Sequence, residues 1–534
     1  MSQKIIILGG GVGGLTVAHE LVHSGEYNHY DIHIYERNDC IGGMARSGFK
    51  SRNGNKVPTE YCWRIYGPCY NNLREILKQI PLSNNSSKTV HDNLVDVKDF
   101  LIADQGTVFH MNNRPTTLFK MRRAFKNVPF RQKWYVLRKI LYCFMISTHR
   151  LNDMDNMTWK EYIDPTNKLC HDMKKYIIDI MGPYLGAEPL LVNVPSVAKT
   201  LESFKVFNRP ISVMRGPTSE AWFLHWQKHL EAKGVTFHFN DTVTDIRTEG
   251  DRVQSAALLD GTEITGDVFF CSLPIESIAN MPSLKIEGMK ELAKLGHQLM
   301  VGVQLYFDKK IPLPTQNTAL YIPNSPWQLV IEPQGSIWNQ RYDDIADIWS
   351  IGLCDPVREG LLIKKPFVEC SHEEIKKEVW FQITKSEFGK YLNLDSVQIV
   401  DHQVWDTYVY DGKRLSTREP KFSTNKGTYY LRPNNKTKFG NLHFATAYTK
   451  TETDMFEMES AAEAGRQAAR TLEKSVRVLP TPRPLFFFFY RWFDKKLHKF
   501  DCYSRLPFVW LLLGFPFLIL LPFAYVYSKF GGYK

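Results

Sequence analysis

Nine cysteines are scattered singly through the 534 residues, with no Cys-x-x-Cys pair and no histidine cluster at ligand spacing. Neither a metal site nor a disulfide framework is therefore expected. No Gly-x-Ser-x-Gly elbow occurs, so a hydrolase has no support. The N-terminus shows no secretory signal, because the apolar run Ile5 to Leu8 is too short for a signal core and runs straight into glycines. The expected setting is a reducing compartment. Excess charge is also missing from most of the chain. Residues Lys474 to Lys534 carry ten Lys/Arg against two Asp, net +8 of the total +11, which leaves +3 for residues 1–473. A nearly neutral body argues against nucleic acid as a partner.

What is present begins at once. The run Ile5 to Leu8 opens into Gly9-x-Gly11-x-x-Gly14. This pattern reads as a strand feeding a phosphate-binding turn. Gly9 permits the tight turn, Gly11 lets backbone N–H groups approach a pyrophosphate, and Gly14 lets the next helix pack close to the strand. Leu15 to Ser24 reads as a short helix, and Asp31 to Tyr35 as a second strand ending at Glu36. A carboxylate there is placed to accept the hydroxyls of an adenosine ribose, which suits FAD or NAD and repels the 2′-phosphate of NADP.

A second glycine pair follows in Glu36-Arg37-Asn38-Asp39-Cys40-Ile41-Gly42-Gly43-Met44-Ala45-Arg46-Ser47. On these residues the chain resembles the FAD-dependent amine oxidase and phytoene desaturase superfamily, in which this loop passes along the flavin. The resemblance returns in three later segments: Leu230 to Phe237 with Val243 to Arg247, Gly261 to Pro274, and Asn441 to Tyr448 with Met458 to Arg466. It implies an α/β fold, with a Rossmann-type FAD-binding domain (1–80, 215–285 and 425–473) interleaved with an α+β substrate domain (81–214 and 286–424). It implies FAD as cofactor, surrounded by Gly9, Gly11, Gly14, Glu36, Arg37, Gly42, Gly43, Arg46, Val243 and Glu459. Met455 to Arg466 reads as a helix whose N-terminus faces the flavin and stabilises its reduced anion. Tyr61, Trp63 and Tyr66 lie in a segment that resembles the substrate-facing stretch of the family. They either line a channel or pack in the core.

The departures are equally specific. Thr446-Ala447 stands where the family usually has Gly followed by Asp or Glu, so the acid beside the ribityl-phosphate is missing. The strand read over Leu299 to Phe307 lacks the lysine that many amine oxidases place near the flavin. Hydride transfer from an apolar substrate, isoprenoid or lipid-like, is thus favoured over amine oxidation. A flavin amine oxidase with a tail anchor and a non-catalytic flavoprotein-like scaffold are the alternatives.

Past Pro480, Pro482 and Pro484 the composition changes. A basic, aromatic linker (474–505) leads to an uncharged run of 22 residues, Leu506 to Tyr527. As a helix that run measures about 33 Å, against about 30 Å of hydrocarbon. A membrane segment over 506–527 is expected, either single-pass or, given Pro507, Pro516 and Pro522, a kinked monotopic anchor. The basic flank Arg491 to Arg505 places the enzyme body on the cytosolic side. Phe119 to Arg150 is a second basic, aromatic segment. It fits either contact with anionic headgroups or an ordinary amphipathic helix.

Overall fold

Ile5, Ile6, Ile7 and Leu8 are all completely buried, as an unbroken apolar run requires of a central strand in a parallel sheet covered on both faces. The computed structural model describes residues 2–24, 29–62, 64–83, 86–111, 124–206, 211–338, 342, 344–454, 457–481 and 487–498. In it, β1 (Gln3–Leu8), β2 (Tyr30–Glu36), β3 (Thr236–Phe239), β4 (Val268–Cys271) and β5 (Leu442–Phe444) form a sheet in the order β5-β4-β1-β2-β3. Every neighbouring pair is parallel. Alternate residues of β1 enter different cores. Ile5 and Ile7 face the helical side, whereas Ile6 and Leu8 face the antiparallel sheet built on Val243–Glu249 and Arg252–Leu258.

Four helices matter below: α1 (Val12–Val22), α2 (Phe130–Met145), α3 (Met458–Ala469) and α4 (Phe488–His498). The first starts earlier than the sequence suggests, because Gly11 is already the extended N-cap residue (φ −76°, ψ 174°). The third lies against α1 at close range: a Cβ on Gly465 would sit 2.6 Å from the Gly13 carbonyl oxygen.

A second sheet of seven strands has the order 399–404, 301–307, 347–353, 330–333, 318–321, 99–104, 107–111. It is antiparallel except where Thr318–Tyr321 pairs with Asp99–Asp104. Strand Val301–Phe307 is buried throughout. A Cβ on its Gly302 would lie 1.4 Å from the Tyr61 carbonyl oxygen, so only glycine lets the chain after the second glycine pair press onto this sheet. A helical layer with its own core, including Val136, Cys143, Trp159 and Val197, completes this half.

The segment expected to be a linker folds back instead. The Leu479 N–H donates to Asn72 Oδ1 (2.8 Å), and Asp494 accepts from the Ser147 N–H (2.7 Å) and from Arg150 Nε (3.1 Å). Arg491 donates to the Phe144 carbonyl (3.0 Å) and pairs with Glu202. The expected membrane segment 506–527 lies outside the described residues. Among the described residues, no helix is long and apolar enough to cross a membrane.

Candidate active site

The three glycines of the opening motif meet different surroundings. Gly9 has φ +100°, and a Cβ on it would sit 2.9 Å from the Ser272 carbonyl oxygen. On Gly14 a Cβ would be 2.2 Å from the Gly9 carbonyl oxygen and 3.0 Å from Ile7 Cγ2, which is the close packing of helix on strand. In front of Gly11 there is room, the nearest atom being Ser272 Oγ at 3.9 Å. The second glycine pair completes the floor. The Gly42 N–H donates to the Gly10 carbonyl (2.8 Å), and Gly42 (φ +114°) and Gly43 (φ +54°) hold backbone conformations that favour glycine.

Glu36, at the end of β2, is buried and fixed over this floor. Its carboxylate accepts from the Gly10 N–H (2.8 Å), the Asn38 N–H (3.0 Å) and Asn38 Nδ2 (2.6 Å). Of about four acceptor positions on a carboxylate, the protein takes three, so one is left for a ribose hydroxyl. Asp241, Thr242 and Val243 continue the wall beside it. One continuous cavity runs from there past Gly9, Gly11, Gly42 and Gly43 to Met44, Tyr61, Cys62 and Phe422, and to Ala445–Tyr448 with Met458 and Ala461 on the far side.

Arg37 lines this cavity and donates to Glu419 Oε1 (2.8 Å). Arg46 does not line it. Its guanidinium is committed to the Gly43 carbonyl (2.8 Å) and Glu419 (3.1 Å), and lies 5.5 Å from the Trp405 ring centroid. Glu459, expected at the cofactor, points elsewhere. Its carboxylate accepts from the Asn72 and Leu73 N–H groups (2.8 and 2.9 Å) and from Asn72 Nδ2 (2.9 Å), and burial pushes its pKa up to about 7. Helical phase explains this, because Met458 and Ala461 face the cavity and Glu459 lies well around the helix from both. Tyr61 lines the cavity with its ring edge-on to Trp405 (5.7 Å). Tyr66 is a core residue packed between Tyr70 and Trp222, and Trp63 lies outside the described residues.

Several groups at the site were not singled out from sequence. Ser272 Oγ accepts from the Gly14 N–H (3.0 Å). Glu419 holds both arginines and leaves its Oε2 buried without a hydrogen-bond partner. Strand Val301–Phe307 has no lysine, but Lys421 enters the cavity from the adjoining short strand Lys421–Phe422, with Nζ 3.3 Å from Glu457 Oε1 and 3.7 Å from Met300 Sδ. Glu457 precedes α3, whose N-terminal end opens on the cavity through Glu457, Met458 and Ala461.

The structure also gathers histidines that the sequence reading left apart. His19 on α1 and His23, which caps its C-terminal end one turn later, meet His229, with ligand atoms within 4.8 Å of one another. The His-x-x-x-His spacing was the available signal. Several of their nitrogens are already engaged: His19 by Trp226 (3.2 Å) and Gln79 (3.2 Å), His23 Nδ1 by the His19 carbonyl (2.7 Å), and His23 Nε2 with His229 Nε2 (3.2 Å).

Residues 12–472 match the family model described as flavin containing amine oxidoreductase, and the chain belongs to that family. Solved structures with the same fold include putrescine oxidase bound to putrescine (13% identical, TM-score 0.61, covering 88% of this chain and 99% of that one). Others are a putative protoporphyrinogen oxidase from Exiguobacterium sp. 255-15 (14%, 0.59, 89% and 99%) and cyclohexylamine oxidase from Brevibacterium oxydans IH-35A (14%, 0.59, 89% and 99%). The protein is an FAD-dependent oxidoreductase. Its residues fit that cofactor, with open space before Gly11 for the pyrophosphate, Glu36 for the ribose, and a buried Thr446 hydroxyl on the cavity wall without a hydrogen-bond partner.

Proposed function

We propose that this member of the family is of the desaturase or dehydrogenase type, taking hydride from an apolar, isoprenoid or lipid-like substrate, with its body held on the cytosolic face of a membrane by the segment 506–527. One observation carries the chemical part. Two carboxylates of the cavity that Met44, Tyr61, Cys62 and Phe422 also line are already paired with cations, Glu419 with Arg37 and Arg46, and Glu457 with Lys421. A substrate ammonium ion would meet carboxylates whose charge these cations already offset. An uncharged hydrocarbon needs none.

FAD, when bound, supplies the hydride acceptor. The chain's part is to hold and to shield. Burial pushes the Cys62 thiol up to about 11 and the Tyr61 phenol well above its ordinary value, so both stay protonated beside the substrate space. The N-terminal end of α3, whose N-cap Glu457 is offset by Lys421, favours negative charge formed there.

Amine oxidation is the second reading, and it is favoured by the unpartnered Glu419 Oε2. Anaerobic mixing separates the two. Bleaching of the flavin band by isoprenoid or fatty substrates in detergent, with none from a panel of amines, is the expected result; bleaching and peroxide formation with amines alone would overturn it. Alkaline carbonate tests the anchor, since a spanning segment keeps the protein in the pellet and release into the wash refutes spanning.

A further inference from the structure

We propose that α2 and α4 together form a face that rests on an anionic lipid surface. This deepens the membrane part of the reading above and is independent of its chemistry.

An amphipathic helix in a globular protein needs one apolar stripe. In α2 there are two. Val136 and Cys143, with the half-buried Ile140, enter the helical core. A second row, Phe130, Trp134, Leu137 and Leu141, follows the spacing i, i+4, i+7, i+11 on another side. Phe130 is 77% exposed and Leu137 is 38% exposed. The row does not stop at the end of the helix, because Leu141 packs with Met145 and Phe487 just before α4 begins. There Phe488 (67% exposed) and Trp492 (49%), one turn apart, carry apolar surface onward.

The exposed charge that the two helices themselves carry has one sign. Helix α2 contains Arg131, Lys133, Arg138 and Lys139 and no acidic residue. In α4, Lys495 and Lys496 are exposed, while the single acid, Asp494, is completely buried against Arg150. Outward-facing aromatic and aliphatic groups whose own helices expose only cations match a headgroup layer that is anionic above and apolar below.

The chain itself selects lipid over a protein partner. After His498, eight steps lead to Leu506, where the 22 uncharged residues begin. Fully extended, eight residues reach about 28 Å at most. If that run enters hydrocarbon, α4 cannot stand far from the same surface, and α2 is locked to α4 through Arg491 and the Phe144 carbonyl.

The test uses the full-length holoprotein in vesicles of phosphatidylcholine and phosphatidylserine (3:1), with the photoreactive p-benzoylphenylalanine replacing Leu137, Phe488 or Leu259 in turn. Leu259 is 74% exposed at a turn of the antiparallel sheet beside the Rossmann half and serves as the control. Retained flavin absorbance verifies folding in each case. Lipid adducts at 137 and 488 at least ten-fold above 259, falling several-fold with Arg131→Glu/Arg138→Glu or in neutral vesicles, are expected. Adducts at 137 no greater than at 259, or crosslinks to a second copy instead of lipid, overturn the proposal. Pelleted protein without these adducts refutes the face and keeps the anchor; carbonate release with the adducts intact refutes the spanning anchor and keeps the face.

Discussion

Substituting Gly11 and Gly14 separately tests whether the glycine loop is shaped for a ligand or only for packing. At Gly11 the backbone is extended, a conformation any residue adopts, and an added Cβ comes no closer than 3.9 Å to any protein atom. Gly11→Ala should therefore leave the apoprotein as stable as before, or gain ~0.4–1 kcal/mol through the unfolded chain. The same methyl group fills the open space before the loop. Loss of one charge-assisted hydrogen bond to a phosphate costs about 1.5–3 kcal/mol, or roughly 10- to 150-fold in the FAD dissociation constant. At Gly14 the Cβ would meet the Gly9 carbonyl oxygen at 2.2 Å and Ile7 Cγ2 at 3.0 Å. Gly14→Ala should lower the apoprotein's stability by ~1–3 kcal/mol as overpacking and weaken FAD binding only as a consequence. Quenching of flavin fluorescence on titration into apoprotein gives the first quantity, and urea midpoints of the apo forms give the second. Unchanged FAD affinity in Gly11→Ala, or a urea midpoint that falls as far as that of Gly14→Ala, would refute the assignment.

Ala447→Asp restores the acid usual in the family on the cavity wall, and should tighten FAD binding by ~1.5–3 kcal/mol, read by the same titration. Lys421→Met removes the cation beside Glu457, and should lower the flavin midpoint potential by about 30 mV or more, equivalent to about 1.4 kcal/mol for a two-electron couple; an unchanged potential would place Lys421 outside the flavin's field. Glu459 has its pKa raised from 4.5 to about 7, chiefly by burial, so its stabilising share is full below pH 4.5 and is lost as pH rises through 7. Urea midpoints should fall from about pH 4.5 to pH 7 and level off above that, and Glu459→Gln should flatten part of that slope.

What could be read from sequence was the part whose signal is local. The run Ile5 to Leu8 announces a strand buried on both faces, the spacing of Gly9, Gly11 and Gly14 announces the turn, and Glu36 closes the unit within 36 residues. Glu419 and Lys421 gave no such signal. They reach the cavity from an irregular segment nearly 400 residues away, and only the pairing of Gln298 with Lys421 puts that lysine beside the strand that lacks one. For Glu459 the helix was legible and its phase was not. Nine residues of α3 are buried, because α3 is packed between α1 and the helix Asn71–Leu77, so no apolar stripe marks which side faces the cavity.

The tail shows the opposite error, a composition that reads as exposed when part of it is paired. One proline, a run of aromatics and five basic residues from Arg483 to Lys499 describe a free collar only if their charges have no partners. Two of the decisive partners lie about 300 residues earlier, Arg150 for Asp494 and Glu202 for Arg491. Breaking such buried pairs costs several kcal/mol, enough to hold an 11-residue helix that would not persist alone in water. Docking therefore consumes the acid and one arginine of α4 and leaves Lys495, Phe488 and Trp492 exposed, the last with Lys496 over its ring. The ion pairs fix the helix, and by fixing it they decide which of its residues face outward.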